Sequence, residues 1–356
     1  MENSVVNINA IKDQINAEKK KVMLLTTVLA LGVFVIGTLS IALGRADISV
    51  MDVWKIIFAK IFYMERWLEG ISEYKVAIVW DIRIPRILIG TLVGAGLAVA
   101  GTVFQAILRN PLADPYTIGV STGAAFGAVV IIYINLFFSA IPIPVMPFAF
   151  AGALLSLVLV IKISKKNGQI QSTNLIIAGI IVSSILSAGI SFLKSAAGEQ
   201  VSAIVYWLMG SLAARSWNHV AIAFPMIVGG ILLCQKYSDN LDIMSLGERE
   251  ANALGVDTKK TMRVYLVVGS VITAVCVSVS GIIGFIGLII PHLIRYGVST
   301  KNRYLIPLSA FAGASLLMVA DNFSRLTFDV EIPVGVLTTL LGGPFFIYIF
   351  AKRDID

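Results

Sequence analysis

The chain has 356 residues, 57% of them hydrophobic and 14% charged, with a formal net charge of +7. Soluble domains carry about 25% charged residues, and here the apolar residues lie in long uncharged runs. The composition therefore excludes a soluble globular domain and predicts an all-α polytopic membrane protein. No clustered basic face of the kind that nucleic acid requires is present, so the positive charge reads as a topology signal.

In chain order, residues 1–21 are polar and carry Lys12, Lys19, Lys20 and Lys21, which marks a cytoplasmic N-terminal segment. Val22–Leu43 is a run of 22 residues without Asp, Glu, Lys or Arg. It exceeds the roughly 7–15-residue core of a cleaved signal peptide, and no A-x-A-like site follows, so it reads as a retained first helix. The outer stretch 44–82 is rich in aromatics (Trp54, Phe58, Phe62, Tyr63, Trp67, Tyr74) and reads as an amphipathic helix on the outer membrane surface, with no function attached. Ile87–Leu108 is the second span. Tyr116–Ile161 is 46 uncharged residues broken by Pro142, Pro144 and Pro147, hence two helices around an outer turn. Gly168–Leu193 and Ser216–Gln235 are the fifth and sixth spans.

Val264–Ile294 is 31 residues, too long for one helix and short for two. Lys259, Lys260 and Arg263 precede it, and Arg295, Lys301 and Arg303 follow. Cations mark the cytoplasmic side of short loops, so this run goes out and returns, turning at Ser280–Gly284. Tyr304–Ala320 and Ile332–Ala351 complete ten crossings in a transmembrane domain 22–352. A tail, 353–356, follows, and both termini are expected in the cytoplasm of a bacterial-type inner membrane. Gly119, Gly123 and Gly127, like Gly90 and Gly94, recur every four residues, the spacing that lets membrane helices approach closely. Cys234 and Cys276 sit inside apolar runs and read as small packing residues.

The chemistry-bearing residues are few. Asp321 and Glu331 fall only at predicted helix ends, and no carboxylate lies near the centre of a run, which argues against ion-coupled transport. No G-x-x-x-x-G-K-[ST] sequence occurs, so ATP, if it is used, is bound by another chain. No catalytic cluster, metal site or cofactor motif is present, and the chain is not expected to be an enzyme. The interior loop 236–263 holds Ser245 and Glu248 at capping-box spacing with Gly255 as a stop signal. It predicts a short amphipathic helix offering Leu246, Ala251 and Leu254. Two readings fit it: a helix seated in a partner's groove, or one lying on lipid headgroups.

Asp81-Ile82-Arg83-Ile84-Pro85-Arg86 running into Leu92–Gly101 resembles the iron-siderophore and vitamin B12 permease family of FecCD type. So do Asn110-Pro111-Leu112-Ala113-Asp114-Pro115, Gly119–Ala124, Trp207-Leu208-Met209-Gly210 and Leu246–Gly255. Gly284–His292, Pro333-Val334-Gly335 and Gly342-Gly343-Pro344 complete the set, which in order covers about Asp81 to Lys352. The resemblance implies the permease subunit of a type II ABC importer, with ten helices per subunit and a homodimer around a translocation path lined by the fifth and tenth. Two ATPase subunits would bind below, and an extracytoplasmic substrate-binding protein above. It implies that Leu246, Gly247, Glu248, Arg249, Ala251, Leu254 and Gly255 form the coupling helix, that Ser172 and Thr173 hold the cytoplasmic gate position, and that Arg83, Arg86 and Arg325 face outward to dock the binding protein. From the residues alone, headgroup contacts and helix capping also fit the arginines and Ser172-Thr173 respectively. His292, one residue after Pro291, reads as a structural hydrogen-bonding group, and His219 carries no motif. An iron-siderophore chelate is the implied cargo, with cobalamin, haem or an oxyanion as alternatives within the family. An ATP-independent secondary transporter is the alternative outside it.

Overall fold

The computed structural model describes residues 8–166, 169–327 and 330–353. The first residues of the expected N-terminal segment, 1–7, and most of the expected tail, 354–356, lie outside the described residues. Helix α1 (Ile8–Ala42) has 35 residues and at ~1.5 Å per residue spans more than the ~30 Å hydrocarbon thickness. Its apolar part crosses while its lysine-bearing turns project beyond. That projecting end is fixed: Glu18 pairs with Lys301 at 2.6 Å and Lys21 donates to the Gly297 carbonyl at 3.1 Å. These cations collect at one end of the bundle, the basic end, opposite the far end.

At the far end, α2 (Val50–Phe62) is N-capped by Ser49, whose hydroxyl accepts from the Asp52 amide. This is the amphipathic helix expected in stretch 44–82. It buries Val53, Ile56 and Ala59, and Trp54 packs on Phe34 of α1 with ring centroids 5.5 Å apart. The next helix starts earlier than expected. Residues Glu73–Leu108 form one continuous 36-residue helix, composed of α3 (Glu73–Ala77), a π-turn (Ile78–Arg83) and α4 (Ile84–Leu108). Asp81, Arg83 and Arg86 interrupt the apolar run but not the helix, because the arginines find partners within the fold.

Helix α4 is the buried centre of the bundle and packs on α9 (Trp217–Lys236), α12 (Thr258–Ser280), α13 (Ile286–Gly297) and α14 (Asn302–Leu326). A Cβ on Gly94 would collide with the Gly313 carbonyl of α14, and one on Gly101 with the Gly287 carbonyl of α13. Lipid supplies no hydrophobic drive between helices, so such backbone approach is what dispersion packing needs. Helices α5 (Val120–Phe137) and α6 (Val145–Ser164) use the same device, with Gly123 and Gly127 against Gly152. Their proline-rich turn is pinned by Asn135, whose side chain bonds both the amide and the carbonyl of Ile143.

A two-residue antiparallel ribbon, β1 (Lys165–Lys166) with β2 (Gln169–Ile170), leads into α7 (Ser172–Ala196) and the short α8 (Val201–Leu208). Then come α9 (Trp217–Lys236), α10 (Ser238–Ser245) and α11 (Glu248–Ala253). The 31-residue run divides as expected: α12 (Thr258–Ser280) stops at Gly281, whose φ of +71° suits glycine, and α13 (Ile286–Gly297) turns back. Helices α14 (Asn302–Leu326) and α15 (Val334–Arg353) complete the chain. Eight helices among the described residues are long and apolar enough to cross a membrane. The 12-residue α13 and the apolar stretch 334–347 of α15 complete the expected set of ten.

Replacing Gly101 by Ala forces α4 and α13 apart and should lower the thermal unfolding midpoint in detergent, by overpacking worth about 1–3 kcal/mol. Gly32→Ala, where an added Cβ meets nothing within 4 Å, should leave the midpoint unchanged.

Candidate functional site

Two polar regions occupy opposite ends of the bundle. At the far end, Arg86 of the long helix meets the C-terminal turns of α14, and Arg83 meets the end of α1. Arg86 binds Asp321 through two donors, Nη2–Oδ1 at 2.7 Å and Nε–Oδ2 at 3.0 Å, and reaches Glu331 with Nη2 at 2.5 Å. Arg325 donates to the carbonyls of Leu43 (2.8 Å) and Ser40 and to Asn322. Arg83, only 7% exposed, donates to the carbonyls of Ile41 and Ala42 at 2.7 Å and of Ala46 at 3.0 Å. The last carbonyls of a helix lack intrahelical partners, and Arg83 and Arg325 supply them to α1, at the end where its dipole favours cations. The three arginines expected to face outward lie at the far end with most of their donors engaged within the fold. The side chain of Asp321 is 1% exposed and that of Glu331 is 33% exposed, so the acid reaching solvent from this network is Glu331.

At the basic end, the cytoplasmic-loop helix is present, but it is built differently from the expected capping box. Ser245 is the last residue of α10, and its hydroxyl donates back to the Asp242 carbonyl at 2.6 Å. Helix α11 starts instead at Gly247, whose φ of +132° a larger residue would adopt only under strain. Leu246 and Leu254 are 63% and 62% exposed, whereas Ala251, expected to share their face, is fully buried. Gly255 ends the helix, donating to the Asn252 carbonyl. The Asn252 side chain accepts from the Thr258 hydroxyl, and Asp257 caps α12 through the Lys260 amide. Helix α10 is anchored to α14 by Asp242, which accepts from the Asn302 amide and side chain at 2.8 and 2.7 Å. Burial pushes the Asp242 carboxyl above its ordinary range.

Ser172 and Thr173 separate on inspection. Ser172 opens α7, with Gln171 rather than a hydroxyl residue at the cap position, and its hydroxyl lies 3.5 Å from the Ile107 carbonyl. It lines a cavity of about 360 Å³ together with Arg109, Met244, Glu248 and Arg263. Thr173 is exposed and is not among its lining residues. The expected gate serine and the first residue of the coupling-helix candidate thus share one cavity. Among the described residues no group of three His, Cys, Asp or Glu is placed to hold a metal. His219 acquires a role that sequence reasoning missed: it completes a capping box at α9, its Nδ1 accepting from the Ser216 amide at 3.2 Å. The signal, Ser three residues before a polar side chain at a helix start, was legible but is unusual with histidine.

The FecCD transport family model matches residues 31–352. The chain belongs to the FecCD transport family. The cobalamin import system permease protein of Halobacterium salinarum is 43% identical over 80% of this chain and 76% of its own length. The Fe(3+)-citrate import system permease of Bacillus subtilis is 34% identical over 93% and 96% of the two chains. The molybdate import system permease of Haemophilus influenzae is 35% identical over 89% and 92%. A solved inward-facing structure, described as a metal-chelate type ABC transporter, superposes with a TM-score of 0.79 at 32% identity, covering 92% of this chain and 98% of that one. The protein is thus a multi-pass permease subunit of an ABC importer. It works with ATPase and substrate-binding partners and is not itself an enzyme.

Asp321→Asn removes the buried member of the two acids that neutralise Arg86 and leaves only the partly exposed Glu331, which should destabilise the fold by up to about 3 kcal/mol. The paired change Arg86→Met with Asp321→Leu should recover most of that loss, as read by thermal unfolding in detergent.

Proposed function

We propose that this FecCD permease moves an iron chelate of the siderophore class across the cytoplasmic membrane as a homodimer, by alternating access driven by two partner ATPases. The basic end faces the cytoplasm together with both termini, and the far end faces the binding protein. One observation carries the reading: a chain without a nucleotide-binding motif presents two exposed leucines, Leu246 and Leu254, at the two ends of the short α11, which Asn252 ties to α12 and which follows α10, itself anchored to α14. An ATPase cleft covers those leucines, and Gly247, Glu248, Arg249, Ala251 and Gly255 shape the segment rather than all touching the partner. ATP-driven closure of the ATPase pair moves α11, and the shared cavity passes that displacement to Ser172, with Thr173 beside it, at the cytoplasmic gate. The chain holds no cofactor of its own.

The iron cargo draws support from the metal-chelate type structure and the Fe(3+)-citrate relative. The 43% identity to a cobalamin permease favours a cobalt chelate as the second reading. Affinity of the cognate binding protein for ferric siderophores and for cobalamin separates the two.

Docking at the far end uses Arg86 and Arg325, whose side chains are 12% and 11% exposed, through exchange of a partner carboxylate for Glu331. Arg83 shapes the same surface by holding α1. Arg325→Gln should weaken binding-protein affinity, most at low salt where such pairs are least screened. Arg83→Ala should lower thermal stability instead. Equal, salt-independent affinity for Arg325→Gln and the parent would refute the docking role.

Leu254→Glu in the purified complex should abolish ATPase association and uptake without altering the permease's unfolding midpoint. Uptake at the parental rate in that variant rules the coupling assignment out.

A further inference from the structure

A cleft of about 520 Å³ opens at the far end, between α5, the start of α6, α8 and the end of α12, within the size range of ligand sites. Ile132, Val145 and Trp207 give it an apolar wall, and Tyr206, Ser211 and Arg215 bring polar side chains into it. Arg215 belongs to the connection between α8 and α9. That connection is rigidly seated: the Ser211 amide donates to the Ser280 carbonyl at 2.7 Å, and the Gly335 amide donates to the Gly210 carbonyl at 3.3 Å. Ala214, immediately before Arg215, has a φ of 56°, a strained value for a residue with a side chain and of the kind found at ligand clamps.

The guanidinium of Arg215 is poorly satisfied. Its Nη2 makes one long bond, 3.4 Å, to the Ser211 carbonyl, and its Nε is buried with no hydrogen-bond partner. Arg86 adds a charge of like sign nearby, and no carboxylate among the described residues bears on it. Arg83, Arg86 and Arg325 in the same layer are each supplied with carbonyls or carboxylates. A half-buried cation without a counter-ion is costly, and its planar fork matches a carboxylate or similar oxyanion. The Tyr206 and Ser211 hydroxyls lie 3.4 Å apart beside it, so three donors converge on one corner of an apolar cleft.

We propose that this cleft is an outer binding site in which Arg215 takes a carboxylate or equivalent oxyanion of the cargo chelate. Tyr206 and Ser211 donate to the remaining oxygens, and Ile132, Val145 and Trp207 hold the apolar part of the ligand. The site deepens the importer reading and rests on it: it favours chelates that present a carboxylate or other oxyanion outward over neutral ones.

Calorimetric titration of the full permease–ATPase complex in nanodiscs, with ferric citrate and with molybdate, tests the site. At least one anion should bind the parent complex, at least tenfold more weakly after Arg215→Gln and less affected by Arg215→Lys. Tyr206→Phe should give a smaller loss and serves as the second variant if Arg215→Gln fails to fold. No binding of either anion to the parent, or equal binding to all variants, overturns the proposal. ATP-dependent uptake in the same complexes keeps the two readings apart. A parent complex without uptake of any chelate sinks the importer reading, whereas parental uptake of ferric citrate by Arg215→Gln sinks only the anion site.

Discussion

Backbone contact between helices, made possible by missing side chains, is the constraint on which the architecture depends. Gly94 against Gly313 and Gly101 against Gly287 bring α4 so close to α14 and α13 that no Cβ fits between them. A membrane offers no water to drive helices together, so the bundle is held by dispersion over these close approaches and by polar groups satisfied across them. Because α4 is clamped along its length, the charged turns at its start are carried to a fixed place beside α1 and α14. The arginine network is a consequence of the glycine packing, and not an independent surface feature.

The same logic places the two working ends. At the basic end, Asp242 ties α10 to α14 and Asn252 ties the short α11 to α12, while Leu246 and Leu254 stay uncovered. Such a helix is stiffly attached and incompletely buried, which suits it to transmit a displacement imposed from outside. At the far end, Gly210, Gly281 and Gly335 let three chain segments converge, and the cleft holding Arg215 opens beside that junction. A movement that re-aims α12 or α15 must alter the cleft. The proposed anion site and the proposed drive are thus ends of one packed unit, a bistable arrangement of the kind alternating access requires.

Much of this was legible in the sequence. Charge parity alone split Val264–Ile294 into a hairpin, and α12 ends at Ser280 as that argument required. Four-residue glycine spacing pointed to close helix approach, and α5 with α6 is one place where it occurs. What failed was local: Ser245 and Glu248 have capping-box spacing, yet the chain turns at Gly247 and leaves Ser245 on the preceding helix. The side-chain partners were illegible for a different reason. Arg86 meets an acid 235 positions away, and Arg83 and Arg325 meet carbonyls that no residue identity reveals, so the internal partners of the three arginines could not be read from the chain. Arg215 stood out least, because an arginine in a short loop is ordinary until its surroundings are seen to lack an acid.

The central claim is that energy enters from a partner and that this chain supplies the path. Uptake of radiolabelled iron chelate into vesicles holding the permease, its ATPase and loaded binding protein, with ATP inside or with only an imposed proton or sodium gradient, tests it most directly. The account predicts uptake with ATP and none with either gradient alone. Gradient-driven uptake that persists without ATP would contradict it.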